Sequence, residues 1–216
     1  MRIRTRLLAT LVVAATLASA VFAAPAHAAT VTLTSGHVDV LDVDYVSGAL
    51  VLRVLDGTGA TDVERNPADV IFQVPLAAKT TSVPGTPDWS FLGTAGTAWI
   101  LPQNQVSGLL WAGWNTTEVP AGVFAGDKVT FNLTSVSGPA GFSVYTAAGG
   151  TPTVLFDSGN GLPDSQDVAR LAHAHANWGF DAAGTYTVTF NATGTLVGGG
   201  TISSGSKQFT FQVLNS

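Results

Sequence analysis

The chain has 216 residues, of which 46% are hydrophobic and 11% charged, with 14 acidic residues against 9 basic ones. Its net charge of −5 argues against nucleic acid as a partner, because nucleic-acid-binding surfaces are basic. The absence of cysteine excludes disulfides, thiolate metal sites and iron–sulfur clusters, so a transition metal here would need imidazole, carboxylate or backbone oxygen ligands.

The first 28 residues have the pattern of a secretory signal peptide. Three arginines precede an apolar run from Leu7 to Ala24, and Ala26-His27-Ala28 forms an A-x-A cleavage site. We predict a signal peptide over 1–28 and a single secreted domain over 29–216, free outside the cell or associated with its surface. A retained N-terminal membrane anchor is the alternative. Cleavage leaves 6 basic residues against 14 acidic ones, a net charge of −8, and no apolar run long enough to span a membrane.

Short apolar segments separated by glycine and proline predict an all-β fold, an immunoglobulin-like β-sandwich with extra strands and long loops. Lys79 to Trp89 is predicted to be a long surface loop, and Ser165 to Ala172 is a weak candidate for a helical turn or two. The predicted strands are, in chain order, Thr30 to Leu33, His37 to Tyr45, Ala49 to Leu55, Val70 to Val74, Ala98 to Leu101, Lys128 to Val136, Phe142 to Thr146, Thr153 to Phe156, Leu171 to His175, Gly184 to Thr193 and Lys207 to Val213.

All three histidines that remain after cleavage lie in two short segments, Gly36-His37-Val38-Asp39 and His173-Ala174-His175. Alternate residues of a strand share a face, so each segment can present two ligands side by side. If the two strands face each other, three imidazoles and a carboxylate converge. That set suits zinc or copper, with Asp39 as a ligand or as the partner that fixes a ring's tautomer. The alternative is that these are ordinary exposed or hydrogen-bonded strand histidines.

Neighbouring residues extend this hypothesis. Leu171 is expected on the face of the two later histidines, as a half-buried floor. Asn177 and Trp178 follow directly and are candidates for residues that surround the ligands, although core packing is the commoner role of a tryptophan. Other aromatic residues would form a sugar-binding face if exposed, or else pack in the core. They are Trp89, Phe91, Trp99, Trp111 and Trp114.

Other chemistry is poorly supported by the sequence. Asp39, Asp42 and Asp44 resemble a run of calcium ligands, but the glycine and glutamate of an EF-hand loop are missing, so we expect Asp42 and Asp44 to be solvated. The chain has no Gly-x-Ser-x-Gly elbow, P-loop or His-Glu-x-x-His motif. We therefore predict a protein that is not an enzyme.

The run His-x-His-x-Asn-Trp at 173–178, which leads into Ala183-Gly184-Thr185-Tyr186, is unusual. Further distinctive segments are Gly36-His37-Val38-Asp39, Phe91-Leu92-Gly93, Ala98-Trp99-Ile100-Leu101-Pro102-Gln103, Leu110-Trp111-Ala112-Gly113-Trp114 and Ser137-Gly138-Pro139-Ala140-Gly141-Phe142-Ser143-Val144-Tyr145. Over nearly all of the chain beyond the signal peptide, these segments resemble the actinobacterial surface-anchored protein domain, also called the choice-of-anchor M domain.

Members of that family are typically surface or wall proteins, and some are similar to partners of ABC transporters of the zinc and manganese type. The resemblance implies histidine ligands at His37, His173 and His175. It also implies extracellular capture or handling of zinc, copper or manganese, with a metal ABC transporter or a cell-wall component as partner. No sortase-type signal or terminal membrane helix is present, so a secreted form or one held by a partner is implied. A glycan-binding adhesion module, and less favourably a metal-dependent enzyme with Asp39 as general base, are the alternative functions.

Overall fold

The structure is a computed structural model that describes residues 29–93 and 96–216, so the predicted signal peptide lies outside the described residues. Strands joined by turns and single-turn 3₁₀ helices form almost all of it. The 3₁₀ helices are Pro67–Asp69, Leu76–Ala78, Pro87–Trp89 and Ala125–Asp127. The strands are β1 Val31–Leu33, β2 Gly36–Val46, β3 Ala49–Gly57, β4 Val63–Arg65, β5 Val70–Val74, β6 Lys79–Thr80, β7 Ala98–Leu101, β8 Leu110–Asn115, β9 Lys128–Ser137, β10 Phe142–Ala148, β11 Thr151–Asp157, β12 Asp164–Ala169, β13 His173–His175, β14 Asn177–Phe180, β15 Gly184–Thr195, β16 Thr201–Ser203 and β17 Lys207–Val213.

These strands form three sheets. The large sheet has the order β1-β5-β17-β15-β9-β12, with β16 paired to β15. A second sheet, here called the site sheet, has the order β13-β8-β2-β3-β4, and the third has the order β11-β10-β14-β7-β6. Most pairs are antiparallel, but β2–β8, β1–β5 and β5–β17 are parallel. The chain passes from the site sheet to the third sheet between β13 and β14, across the single residue Ala176.

Buried side chains of all three sheets form one continuous core. Aromatic rings join the third sheet to the large sheet, for example Trp178 to Phe190 and Phe211, and Phe180 to Tyr186. The site sheet contributes alternate aliphatic residues, such as the buried leucines and valine of β3 at positions 50, 52 and 54. The inner face of the site sheet packs in this core, so its polar residues lie on the outer face.

The predicted all-β sandwich is confirmed. Six strands, β4, β6, β8, β12, β14 and β16, were not predicted, and one expected helical turn is absent. Residues from Ser165 do not form a helical turn but belong to β12, which pairs with β9 and places Val168 opposite Val129, both buried. Cross-strand packing of that valine outweighs a weak local preference. The strand β8 was not expected, because its sequence Leu-Trp-Ala-Gly-Trp-Asn mixes small and aromatic residues, yet it lies at the centre of the site.

The region from Lys79 to Trp89 is mostly loop, as predicted, although it begins with β6 and ends in a 3₁₀ turn. Among the described residues, no helix has the length and apolar character needed to cross a bilayer.

Candidate metal centre

A bulge in β2 determines which side chains reach the outer face of the site sheet. The register of β2 shifts by one residue between Asp39 and Asp42, so that Val40 and Leu41 are both buried in the core. The extra residue reverses the alternation. His37 and Asp39 before the bulge, and Asp42 after it, therefore share the outer face.

The two histidine-bearing strands are not neighbours, because β8 lies between them. Gly113 of β8 pairs with Asp39 on one side and with His175 on the other. A Cβ atom at Gly113 would lie 2.5 Å from the carbonyl oxygen of Ala174 and 2.6 Å from Nδ1 of His175. The absence of a side chain thus leaves the space in which ligands from β2 and β13 meet across the intervening strand.

Four side chains converge over this glycine: one potential ligand atom from each of His37, Asp39, His173 and His175 lies within 4.8 Å of all the others. Nε2 of His37 is 3.1 Å from Nε2 of His173, which in turn is 3.2 Å from Oδ1 of Asp39. Oδ2 of Asp39 is 3.6 Å from Nε2 of His37. Ligand atoms about 2.0–2.1 Å from one tetrahedral zinc ion stand roughly 3.3 Å apart, so these spacings match a shared ion.

The Asp39 carboxylate lies at the bottom of the cluster. Asp39 is 0% exposed, and neither oxygen of its carboxylate accepts a well-formed hydrogen bond. Burial raises the pKa of Asp39, and the nearby imidazoles of His173 and His37 oppose that shift. A buried carboxylate without hydrogen bonds is strongly unfavourable unless a cation or proton compensates its charge.

His175 is held against an indole. Its ring stacks on Trp111, with centroids 3.7 Å apart and planes 13° apart, and both its ring nitrogens are buried without a well-formed hydrogen bond. Burial, and after it the charge of the neighbouring His37, lowers the pKa of His175 to about 4, against smaller effects of the backbone at Ala112 and Trp111. The ring is therefore uncharged at neutral pH, the form that binds metal.

Trp111, which sequence reasoning did not single out for this site, is fixed from behind. Its Nε1 donates to the carbonyl oxygen of Gln103 at 2.8 Å, and the backbone N–H of Gln103 donates to Oδ1 of Asn177 at 2.9 Å. Asn177 thus supports the histidines through Gln103 and Trp111. Trp178 is 0% exposed and packs among core aromatic rings, which is the alternative considered for it.

Leu171 does not form a floor for the histidines. It has φ of 63° and lies in a turn before β13, with its side chain exposed. The backbone N–H of Leu171 donates to the carbonyl oxygen of Thr116, whose hydroxyl also bonds the backbone of Ala172. The alternation that placed Leu171 beside His173 fails because the strand begins only at His173.

The expectation that Asp42 and Asp44 are solvated is wrong, since each is only 3% exposed. Asn115 donates to Oδ1 of Asp42 at 3.0 Å, and Arg53 contacts Oδ2 of Asp44 at 3.3 Å. Burial, followed by the charge of Asp44, raises the pKa of Asp42 to about 7.

Asp44 also belongs to a second acidic group with Glu64 and Glu118. Arg53 contacts both Asp44 and Glu64, so a guanidinium already supplies positive charge there. This arrangement favours an ion-pair network over a second metal site.

The tryptophans do not form a fully exposed aromatic face. All five lie in the described part of the chain, and each is buried or half-buried. Trp99 and Trp178 are in the core, Trp114 packs against it, Trp111 covers His175, and Trp89 stacks on Phe91.

No protein-family model matches the chain, and no curated protein or solved structure is significantly similar to it. The resemblance to the surface-anchored domain stays a prediction, and the interpretation of the site depends on its own geometry.

We expect Gly113→Ala to damage the site locally. Its methyl group would overlap the Ala174 carbonyl and the His175 ring, which predicts a loss of about 1–3 kcal/mol in the free energy of unfolding, as in other overpacked sites. Gly198→Ala is the control, because nothing lies within 4 Å of a Cβ there. Urea unfolding of both variants tests this, and equal stabilities would contradict it.

Asp42→Asn should be stabilising at high pH. The folded protein keeps a proton on Asp42 that the unfolded chain loses near pH 3.8, so the stability of the wild type falls as pH rises from about 4 to about 7. The asparagine still accepts from Asn115 but cannot ionise. With a chelator present, urea unfolding should give similar stabilities near pH 4 and a variant more stable by a few kcal/mol near pH 8, since each pKa unit corresponds to about 1.4 kcal/mol. A difference that does not change with pH would refute the assignment.

Proposed function

We propose that the protein binds a divalent transition metal ion through His37, Asp39, His173 and His175, with zinc as the first candidate and copper as the next. The observation that carries the proposal is the buried Asp39 carboxylate, which accepts no well-formed hydrogen bond and faces imidazole nitrogens at 3.2 and 3.6 Å. A shared cation would compensate its charge and could coordinate both imidazole nitrogens that face the carboxylate.

The donor set supports this choice of metal. Three imidazoles and one carboxylate are ligands that zinc accepts in tetrahedral geometry, whereas calcium and magnesium prefer oxygen. Copper binds imidazole nitrogen more tightly than zinc when it is available, so it is the nearest competitor.

The same donor set favours a site that binds the metal without catalysis over a catalytic metal site. If Asp39 is a ligand, four protein groups complete a tetrahedron, which is typical of structural sites, whereas catalytic zinc usually keeps one position for water or substrate. We propose a metal-binding protein that is not an enzyme.

The wider role rests on the predicted signal peptide and the family resemblance. Both favour a protein that is secreted or held at the cell surface and that captures or handles zinc, copper or manganese there. A metal ABC transporter or a cell-wall component is the proposed partner. Elemental analysis of the protein purified from its natural secreted fraction would identify the ion it carries.

Calorimetric titration of chelator-treated protein with zinc chloride and copper chloride tests the binding itself. We expect one ion per chain, and a loss in affinity of at least about 100-fold in the double variant His173→Ala plus His175→Ala, more than the 10–100-fold typical of losing an outer partner. A matched control is Gln208→Ala plus Gln212→Ala, two exposed residues of β17 in the large sheet.

Wild-type affinity in the histidine double variant would overturn the proposal. So would the absence of any saturable binding to the folded wild type. Circular dichroism of each variant establishes that lost binding does not come from unfolding.

A further inference from the structure

The two nitrogens of His37 have different surroundings. Nε2 faces the cluster, at 3.1 Å from Nε2 of His173. Nδ1 faces Gly57, the residue paired with His37 in the neighbouring strand β3. A Cβ atom at Gly57 would lie 2.5 Å from Nδ1 and 3.0 Å from Oδ1 of Asp62. The imidazole nitrogen and this carboxylate oxygen therefore border the same small space, which is open because residue 57 has no side chain.

Asp62 is exposed, but both ends of the loop that carries it form hydrogen bonds with one buried carboxylate, that of Asp56. Oδ1 of Asp56 accepts from the backbone N–H of Thr58 at 3.0 Å and from its hydroxyl at 2.6 Å. Oδ2 of Asp56 accepts from Nε of Arg65 at 2.7 Å. Since Thr58 precedes Asp62 and Arg65 follows it, Asp56 holds the loop 58–65 against the edge of the site.

The negative charge of Asp62 also raises the pKa of the buried Asp39 carboxylate in the cluster, although burial is the larger cause. A carboxylate so placed can affect metal binding in two ways. It can attract the cation through space, or it can accept a hydrogen bond from the ring nitrogen of a ligand.

We propose that Asp62 is a positioning residue for His37: in the metal-bound protein it accepts the Nδ1–H of the imidazole across the space left by Gly57 and so fixes the tautomer in which the Nε2 lone pair points at the metal. This inference deepens the proposed function and rests on it. Ligand histidines commonly donate their second N–H to a carboxylate, which orients the ring and makes it a stronger ligand.

The experiment compares Asp62→Ala, Asp62→Glu and the wild type as zinc-loaded full-length protein. Zinc affinity is measured by competition with a chromophoric chelator, and the His37 Nδ1–H is followed by ¹H–¹⁵N spectroscopy of the imidazoles. We expect Asp62→Ala to lower zinc affinity about 10-fold or more and to weaken or remove the slowly exchanging Nδ1–H signal. Asp62→Glu should restore part of both. Asp88→Ala, which removes an exposed carboxylate from the 3₁₀ turn before β7, is the control.

Salt separates the two ways in which Asp62 can act. In about 1 M potassium nitrate, where the Debye length is about 3 Å, a through-space attraction is screened whereas a hydrogen bond persists. We expect the loss in Asp62→Ala to remain in high salt. Unchanged affinity and an unchanged Nδ1–H signal in Asp62→Ala would overturn this inference while leaving the proposed function intact, and so would a loss that disappears in salt. Failure of the wild type to bind zinc would overturn both.

Discussion

The constraint on which the site depends is the burial of the Asp39 carboxylate. This residue is completely covered and accepts no well-formed hydrogen bond, and its nearest charged or ionisable neighbours are imidazoles of the same cluster. Burying an ionised carboxylate in this way costs many times the net contribution of an ordinary hydrogen bond. In the metal-free protein a proton can relieve that cost, in accord with the raised pKa of Asp39. A bound metal ion, as proposed, would relieve it more fully because the imidazoles would coordinate the same ion.

The rest of the architecture makes this placement possible. The inner face of the site sheet is anchored in the shared core, which fixes β2, β8 and β13 relative to one another. Two glycines then open the outer face. Gly113 lets ligands meet across β8, and Gly57 makes room for the ring of His37. An ion at this position would join β2 to β13, and thereby to the third sheet through β14, so binding should stabilise the contact between sheets as well as the ligands themselves.

Part of this arrangement follows from sequence alone. The period-two spacing of His37 with Asp39, and of His173 with His175, correctly places each pair on one strand face, because alternation is a local property of the backbone. The meeting of the two pairs is not local. It depends on β8 lying between them with a glycine at the crossing point, and nothing in the order of residues indicates which glycine faces which histidine. From the sequence, Trp111 was expected either in a glycan-binding face or in the core. Its stacking on His175 could not be predicted, because that contact also depends on the register of the strands. The burial of Asp42 and Asp44 was missed because the side chains that bond them, Asn115 of β8 and Arg53 of β3, come from neighbouring strands that local sequence does not identify.

The most direct test of a shared metal ion is diffraction from crystals grown with zinc, with data collected on both sides of the zinc absorption edge. A shared zinc ion should give an anomalous peak over Gly113, about 2.0–2.2 Å from one nitrogen of each of His37, His173 and His175 and from an oxygen of Asp39. The absence of a peak there at saturating zinc, with the Asp39 carboxylate bonded instead to protonated imidazoles, would contradict it.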